Sequence, residues 1–222
     1  MLARIAGFAI FLSIFTVATL SQETSPSPVP AAPPKANARP TPSREPAAAE
    51  PFDKADVKTI AAKCVRFETE AGSIEVELYP ESAPESVRNF LNLTAIGAFD
   101  NTTFSRVVPG FVIQGGDLFT SGKITPQMAA RARRTVPDEP NKIIHERGVL
   151  SMARSDKPNS ATTSFFILVD SAPHLDGTFA AFGRVTKGME AVDAINNASV
   201  SNEKPDKPVK IRKAAVFDCV AQ

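Results

Sequence analysis

The stretch Phe104-Ser-Arg-Val-Val-Pro-Gly-Phe-Val-Ile-Gln-Gly-Gly-Asp117 places one arginine and one glutamine among apolar residues. Pro109-Gly110 is a turn signal, because proline presets φ and glycine tolerates positive φ, so the stretch predicts a β-hairpin. A guanidinium beside apolar side chains needs an acceptor, which fits an apolar ligand that carries a carbonyl group. On the residues alone, the alternative is an edge-strand arginine whose stem covers the core and whose head lies in water. The residues that would form this surface are Arg106, Phe111, Val112 and Gln114.

Two later parts of the chain extend the pattern in the same order. Gly148-Val-Leu-Ser-Met-Ala153 precedes Ser164-Phe-Phe-Ile167, and Leu175-Asp-Gly177 precedes Phe182-Gly-Arg-Val185. With the hairpin, these segments resemble the cyclophilins, the family of peptidyl-prolyl cis-trans isomerases. The resemblance covers roughly residues 63 to 219, which is nearly all of the globular part of the chain.

The periodicity of apolar residues predicts a chain rich in strands. Apolar and charged residues alternate over 65–68 and 74–78, on either side of a turn at Ala71-Gly72, which predicts a hairpin. Ser82 to Glu85 predicts a capping box that begins a helix ending near Gly97. Pattern alone indicates a mainly β barrel or sandwich; the resemblance implies a closed eight-stranded antiparallel barrel capped by two α-helices. Further strands are predicted at 103–108, 111–116, 147–153, 164–169, 179–185 and 209–219, and a second helix near 189–195.

The composition is that of an ordinary globular protein without a strong charge. Hydrophobic residues make up 43% of the 222 and charged residues 22%, while 25 Lys and Arg nearly balance 24 Asp and Glu. This balance argues against nucleic acid as a partner. The basic run Arg131, Arg133 and Arg134 follows a helix start at Thr125-Pro126 and predicts a solvated helix face; the alternative is a patch that binds a partner.

The amino-terminal segment differs chemically from the rest. Arg4 precedes an apolar run over residues 5–20, which resembles a secretory signal, so residues 1–24 are predicted to be a signal peptide. The run is shorter than the roughly 20 residues that span a bilayer, which favours cleavage over a membrane anchor through uncleaved residues 5–20. Residues 25–52 are rich in Pro and Ala and predict a disordered linker to an isomerase domain at 53–222. We expect a periplasmic or secreted protein, monomeric and without stable membrane association after cleavage.

The activity implied by the resemblance needs no nucleophile. Rotation about an X-Pro bond must break amide resonance, across a barrier of about 18–20 kcal/mol. A group that stabilises the pyramidal prolyl nitrogen or the rotated carbonyl, above a dry apolar pocket, lowers this barrier. The expected partners are therefore proline-containing polypeptides, and no cofactor is expected.

The resemblance also assigns residues to roles. It implies that Arg106 is catalytic and that Phe111 and Gln114 assist it, Gln114 by bonding the arginine or the substrate carbonyl. For each phenylalanine, packing in the hydrophobic core stays open as the alternative, because that is the usual place of this residue type. The residues implied to bind substrate are Val112, Ala153, Arg154, Phe166, Leu175 and Phe179.

Several positions depart from the common family pattern. Ser105 stands for a histidine, Ser164 for a glutamine and Arg154 for an asparagine. His174 stands for the tryptophan that many members use to bind cyclosporin. The arginine and its apolar pocket are retained while the rim changes, so we expect activity with an altered peptide preference.

Other kinds of site find little support in the sequence. His145 and His174 lie at no metal-ligand spacing from the two cysteines, so no metal site is expected and both histidines are predicted to be surface or loop residues. A non-catalytic module that binds Pro-containing segments, as a chaperone, remains the alternative to an isomerase. Arg106 favours the enzyme, because simple proline binding needs aromatic rings and no buried charge.

The two cysteines suggest a hypothesis that rests on the resemblance. Cys64 and Cys219 fall in the first and last strands of the domain, which are neighbours in the cyclophilin barrel. Export would provide an oxidising compartment, so we hypothesise a disulfide between them. The alternative is two separate buried thiols, because the sequence does not determine strand register.

Overall fold

The structure is a computed structural model that describes residues 49–219. The predicted signal peptide, residues 1–24, lies outside the described residues, as does the predicted linker up to residue 48. The strands are β1 Lys63–Thr69, β2 Gly72–Leu78, β3 Arg106–Val108, β4 Val112–Gly115, β5 Val149–Met152, β6 Phe165–Leu168, β7 Ala181–Lys187, β8 Val200–Ser201, β9 Lys204–Pro205 and β10 Ile211–Asp218. The α-helices are α1 Val57–Ala61, α2 Pro84–Ala95, α3 Pro126–Arg131 and α4 Met189–Asn196, and short 3-10 helices cover Leu118–Ser121 and Pro173–Leu175.

Eight strands form one antiparallel sheet in the order β10-β1-β2-β7-β5-β6-β4-β3, curved into a half-barrel. This confirms the predicted mainly β fold and its eight antiparallel strands. The described part of the chain has four α-helices, whereas the resemblance implied two that cap the barrel. Of the two short additional helices, α3 begins at the predicted helix start Thr125-Pro126, and α1 was not predicted. Within residues 49–219, no helix is both long and apolar enough to cross a bilayer.

The expected closure of the barrel was overstated. The strands at the two ends of the sheet, β3 and β10, do not pair as a ladder. Residues 101–104 before β3 instead meet residues 209–211 through the Thr103–Lys210 bridge and three backbone hydrogen bonds of 2.8–3.0 Å. The small β8–β9 hairpin lies against β3 instead, and the Val107 amide donates to the Glu203 carbonyl at 2.8 Å. The edge of β3 is thus occupied by a hairpin that the sequence analysis did not anticipate.

A cluster of phenylalanine rings fixes the inner face of the sheet. Phe67 of β1 stacks on Phe165 of β6 with centroids 5.4 Å apart, and Phe90 of α2 meets the Phe165 edge at 5.3 Å. Each such pair adds about 0.5–1.5 kcal/mol beyond area burial. Because side chains alternate along a strand, burying Phe165 inside turns Phe166 to the outer face. The rings that are fully buried are Phe67, Phe90, Phe99, Phe104, Phe165 and Phe182.

A second, smaller apolar cluster lies on that outer face. Phe111 and Phe179 are partly buried and pack against it, so the cluster continues into a surface pocket. Its buried members are Val112, Val149, Phe166, Leu168, Ala172, Leu175 and Ala181.

The Gly115-Gly116 pair of the quoted stretch ends β4 at a close approach between chain segments. Gly116 has φ +86, and a Cβ there would lie 2.3 Å from the carbonyl oxygen of Thr163. The Thr163 hydroxyl donates to the Gly116 carbonyl at 2.7 Å. A side chain at Gly116 would therefore push β6 away from β4 and disturb the outer face that both strands share.

The amino-terminal end of α2 is stabilised differently from the prediction. Its N-cap is Ala83, so the capping box predicted from Ser82 is wrong. The Glu139 carboxylate instead accepts from the Glu85 amide at 2.9 Å and the Ser86 amide at 2.8 Å. A carboxylate from a distant loop thus satisfies two of the free amides at the positive end of the helix.

Arg131 is not part of a solvated helix face as predicted. Its side chain is buried and donates to Glu50 Oε1 at 2.5 Å and Asn89 Oδ1 at 2.7 Å, whereas Arg133 and Arg134 are exposed. The charge of Glu50 explains the burial, because it partners the guanidinium. Glu50 lies in the range predicted to be linker, and its side chain packs on the domain.

Cys64 and Cys219 are joined by a disulfide. The Cα atoms are 5.2 Å apart although the residues are separated by 155 positions in sequence. The antiparallel register brings Cys64 of β1 opposite Phe217 of β10, so the bond joins the first strand to the segment that follows the last.

Candidate active site

One pocket on the outer face of the sheet brings together all nine residues that the sequence analysis assigned to catalysis or substrate binding. Its volume is about 150 Å³. Drug-sized ligands occupy pockets of about 300–1,000 Å³, so this cavity suits a small group such as a single side chain or ring. The lining residues are Arg106, Phe111, Val112, Gln114, Ala153, Arg154, Phe166, Leu175 and Phe179.

The register of three strands places the polar groups of the pocket. Arg106 on β3 lies directly opposite Gln114 on β4, which in turn lies opposite Phe166 on β6. Their neighbours in the same register, Val107 and Ile113, are fully buried in the inner core. Because side chains alternate between the two faces of a sheet, Arg106, Gln114 and Phe166 form one row on the outer face.

The turn between β3 and β4 is held by a side chain from another element. The Asn196 amide group of α4 donates to the carbonyls of Val108 and Val112, and its Oδ1 accepts from the Gly110 amide at 2.8 Å. Gly110 has φ +72, as a turn of this kind requires. Asn196 therefore anchors the predicted hairpin to the body of the domain.

The guanidinium of Arg106 makes two hydrogen bonds. Nη1 donates to Gln114 Oε1 at 3.3 Å, and Nε donates to Glu203 Oε2 at 2.7 Å. The Arg106 side chain is 42% exposed, so it lies at the rim of the pocket with its head partly in water. The role of Glu203 was missed, because it lies 97 residues away in a turn whose position the sequence does not reveal.

The floor of the pocket is apolar and well packed. Val112, Phe166 and Leu175 are buried, with Phe179 meeting Phe166 edge to face at 5.9 Å. Phe111 on the opposite wall lies 5.6 Å from the exposed ring of His174. The phenylalanines on this face thus belong to the pocket wall, in contrast to the six rings of the inner core.

A second arginine, Arg154, lines the pocket. The Arg154 guanidinium lies over the Phe179 ring at 4.8 Å and donates to the carbonyls of Ser155 and Thr178. The Ala153 amide donates to the Ser164 carbonyl at 2.9 Å and so belongs to the sheet. This rim is basic where the family pattern has an amide side chain.

His145 lies in a loop, one of the two placements predicted for it, but it is fully buried rather than at the surface. Its Nδ1 lies 3.0 Å from Asp176 Oδ1 and its Nε2 lies 2.9 Å from Ser151 Oγ. The His145 backbone amide also donates to Asp176, and together these bonds hold the pKa of that carboxyl below its usual value. Ser151 is buried as well, so this Ser-His-Asp chain has no access to substrate and serves to anchor the Leu175–Phe179 loop.

A second cavity of about 210 Å³ lies behind the hairpin turn, beside Gly110 and α4. The arginine that lines it is already paired with an aspartate of the same lining, because Arg147 binds both carboxylate oxygens of Asp193 at 2.8 and 2.6 Å. Asn196 also lines this cavity, but its side chain is already hydrogen-bonded to the hairpin turn. No cluster of three or more metal-ligating side chains occurs in residues 49–219.

Comparison with known proteins identifies the family. The family model described as cyclophilin type peptidyl-prolyl cis-trans isomerase/CLD matches residues 64–216. A peptidyl-prolyl cis-trans isomerase of Acinetobacter baylyi is 38% identical over 162 residues, which cover 68% of this chain and 84% of that protein. Peptidyl-prolyl cis-trans isomerase B of Bacillus subtilis is 40% identical over 134 residues, covering 60% of this chain and 90% of that protein.

A solved structure agrees with these relatives. A cyclophilin-type isomerase of Cryptosporidium parvum, crystallised in the presence of the dipeptide Ala-Pro, superposes with a TM-score of 0.62 and 32% identity. The match covers 70% of this chain and 99% of that one. The chain therefore belongs to the cyclophilin-type peptidyl-prolyl cis-trans isomerase family.

Proposed function

We propose that this isomerase accelerates X-Pro rotation in exported polypeptides and that Arg106 is its catalytic residue. The observation that carries the proposal is the pocket itself: an apolar cavity of about 150 Å³ with a guanidinium at its rim. A prolyl ring resting on Val112, Phe166 and Leu175 would bring its nitrogen next to that rim. Proline-containing peptide is therefore the substrate class.

The guanidinium acts on the atoms whose charge changes during rotation. As amide resonance is lost, the prolyl nitrogen becomes pyramidal and its lone pair localises on it, where a donor from Arg106 stabilises it. Gln114 binds Nη1 and limits the orientations that the guanidinium samples. A prolyl ring bound on the apolar floor would displace water from the pocket side of the guanidinium, so the donor would act there at a lower local dielectric constant than in solution.

A protease-coupled assay on an Ala-Ala-Pro-Phe peptide tests this function. We expect the isomerisation rate to rise in proportion to protein concentration, and Phe166→Ala to weaken it by enlarging the pocket. The competing proposal is a chaperone that binds Pro-containing segments without turnover. That outcome would appear as saturable peptide binding, measured by calorimetry, with an isomerisation rate no higher than that of the peptide alone.

The site of action is proposed to be the periplasm or the exterior of the cell. Support comes from the apolar run at residues 5–20 in the sequence and from the Cys64–Cys219 bond, which is typical of oxidising compartments. We expect the mature protein to begin between about residues 19 and 25 and to be a soluble monomer. Amino-terminal sequencing and light scattering of protein from its native host test both points; an intact Met1 in the membrane fraction would favour an anchor.

A further inference from the structure

A carboxylate lies on the guanidinium of the proposed catalytic arginine. Glu203 Oε2 accepts from Arg106 Nε at 2.7 Å, on the opposite side from Gln114, which accepts from Nη1. Glu203 does not line the pocket, so it approaches the arginine from behind. The two acceptors restrain Nε and Nη1, and among the described residues Nη2 has no hydrogen-bond partner.

The backbone at Glu203 is unusual for a residue with a side chain. Asn202 and Glu203 have φ +52 and φ +63 and form the two-residue turn between β8 and β9. A hairpin turn with two positive φ values is type I′, in which the second position strongly favours glycine. The Glu203 carbonyl also accepts from the Val107 amide at 2.8 Å, so both its backbone and its side chain bind β3. Backbone strain of this kind tends to persist at functional sites, and here the strained residue contacts the proposed catalytic arginine, which suggests a function for the Glu203 side chain.

We propose that Glu203 is a positioning residue for prolyl isomerisation, which holds the guanidinium of Arg106 so that its free edge faces the pocket. This inference rests on the proposed function, because it requires Arg106 to be catalytic. The Arg106 and Glu203 side chains are 42% and 51% exposed, so solvent screens the attraction between them. The contribution of Glu203 is therefore orientation of a long, flexible side chain rather than a change in its charge.

Three variants distinguish an effect of Glu203 on the orientation of Arg106 from an effect on the stability of the β8–β9 turn. Glu203→Gly removes the carboxylate and places the preferred residue in the turn, Glu203→Gln keeps an acceptor without the charge, and Asn202→Gly relaxes the same turn but keeps Glu203. We expect Glu203→Gly to lower kcat/KM about tenfold, as for one orienting hydrogen bond to a charged group, while its Tm stays equal or rises. The loss should fall mainly on kcat, since Glu203 does not touch the pocket. Glu203→Gln and Asn202→Gly should stay within about twofold of the unmodified protein, since each keeps the acceptor.

A purely structural role for Glu203 predicts that activity follows Tm in all three variants. Unchanged kcat/KM in Glu203→Gly, or an equal loss in Glu203→Gln and Glu203→Gly, would overturn the orientation proposal. Activity falling while stability rises would support it.

A double-mutant cycle with Arg106→Ala distinguishes this proposal from the one on which it rests. If Glu203 acts through the arginine, Glu203→Gly causes no further loss in the Arg106→Ala background. An additive loss would show that Glu203 acts independently and would overturn the inference. If Arg106→Ala is impaired while the single Glu203→Gly is not, only the role of Glu203 fails; if Arg106→Ala is fully active, the proposed role of Arg106 fails and this inference with it.

Discussion

The guanidinium of Arg106 stands at the boundary between water and an apolar pocket. Its stem follows β3 and its head is partly solvated, while Val112 and Phe166 beside it are buried. We expect Arg106→Ala to fold normally and to lose roughly two to three orders of magnitude in kcat/KM, the usual effect of removing an electrostatic stabiliser. Arg106→Lys should be nearly as impaired, because an ammonium cannot donate to Gln114, Glu203 and substrate in one plane.

The measurement for Arg106 is the protease-coupled rate, with circular dichroism to show that each variant is folded. Arg212→Ala is a matched control, because Arg212 is an exposed arginine on β10 that does not line the pocket. Retention of near-normal turnover by folded Arg106→Ala would remove the arginine from the mechanism.

Asp176 makes the loop beside the pocket sensitive to acid. The pKa of its carboxyl is lowered from 3.8 in the folded protein, chiefly by the backbone amide of His145. Folding therefore favours the ionised form, and this stabilisation is complete above the unfolded-state value and lost as pH falls through the lowered folded-state value. We expect Asp176→Asn to be less stable to urea at neutral pH and to approach the unmodified protein on acidification below 3.8. An equal difference at both pH values would contradict this, and Asp156→Asn, on an exposed loop, is the control.

At the scale of elements, the turn signal at Pro109-Gly110 predicted its hairpin correctly. The Pro109-Gly110 turn and the alternation around it predicted β3 and β4, whose register brings Arg106 opposite Gln114. The β8–β9 hairpin was missed because its strands have two residues each and its turn is Asn-Glu, which lacks the glycine of a strong turn signal. This hairpin places Glu203 against Arg106, so the contact between them could not be predicted without it.

Helix α2 shows how a local motif can be replaced by a long-range contact. Because the Glu139 carboxylate accepts from two first-turn amides, we expect Glu139→Ala to lower the free energy of unfolding by about 1 kcal/mol, as loss of an N-cap does. Urea titration measures this. Glu81→Ala removes an exposed carboxylate three residues before the helix and should change stability little. Equal effects of the two substitutions would show that general charge, rather than the two hydrogen bonds, stabilises the helix end.

At the scale of the whole molecule, the features that the sequence did not predict are those that depend on contacts between distant segments. The pocket residues come from five separate segments, and only the family resemblance joined Phe166 and Leu175 to the hairpin. Burial of Arg131 and His145 could not be inferred from residue type, since each depends on an acidic partner, Glu50 or Asp176, supplied by another segment. Polar residues are usually exposed, so a sequence alone favours the surface for both.

The Cys64–Cys219 bond links the two ends of the described domain and should dominate its tolerance to heat. Closing a loop across 155 positions restricts the unfolded chain, and chain entropy gives an upper estimate near 5 kcal/mol. For a domain of this size, each kcal/mol shifts Tm by about 2–4 °C, so we expect the Cys64→Ala/Cys219→Ala variant to melt roughly 10 °C below the oxidised protein. The pocket lies on β3, β4 and β6 and the loops beside them, so kcat/KM at 25 °C should be retained while Tm falls.

Mass spectrometry under denaturing, non-reducing conditions must first show the Cys64–Cys219 linked peptide; two alkylatable thiols would rule the bond out. A variant that melted with the oxidised protein would show that β1–β10 pairing alone holds these ends together.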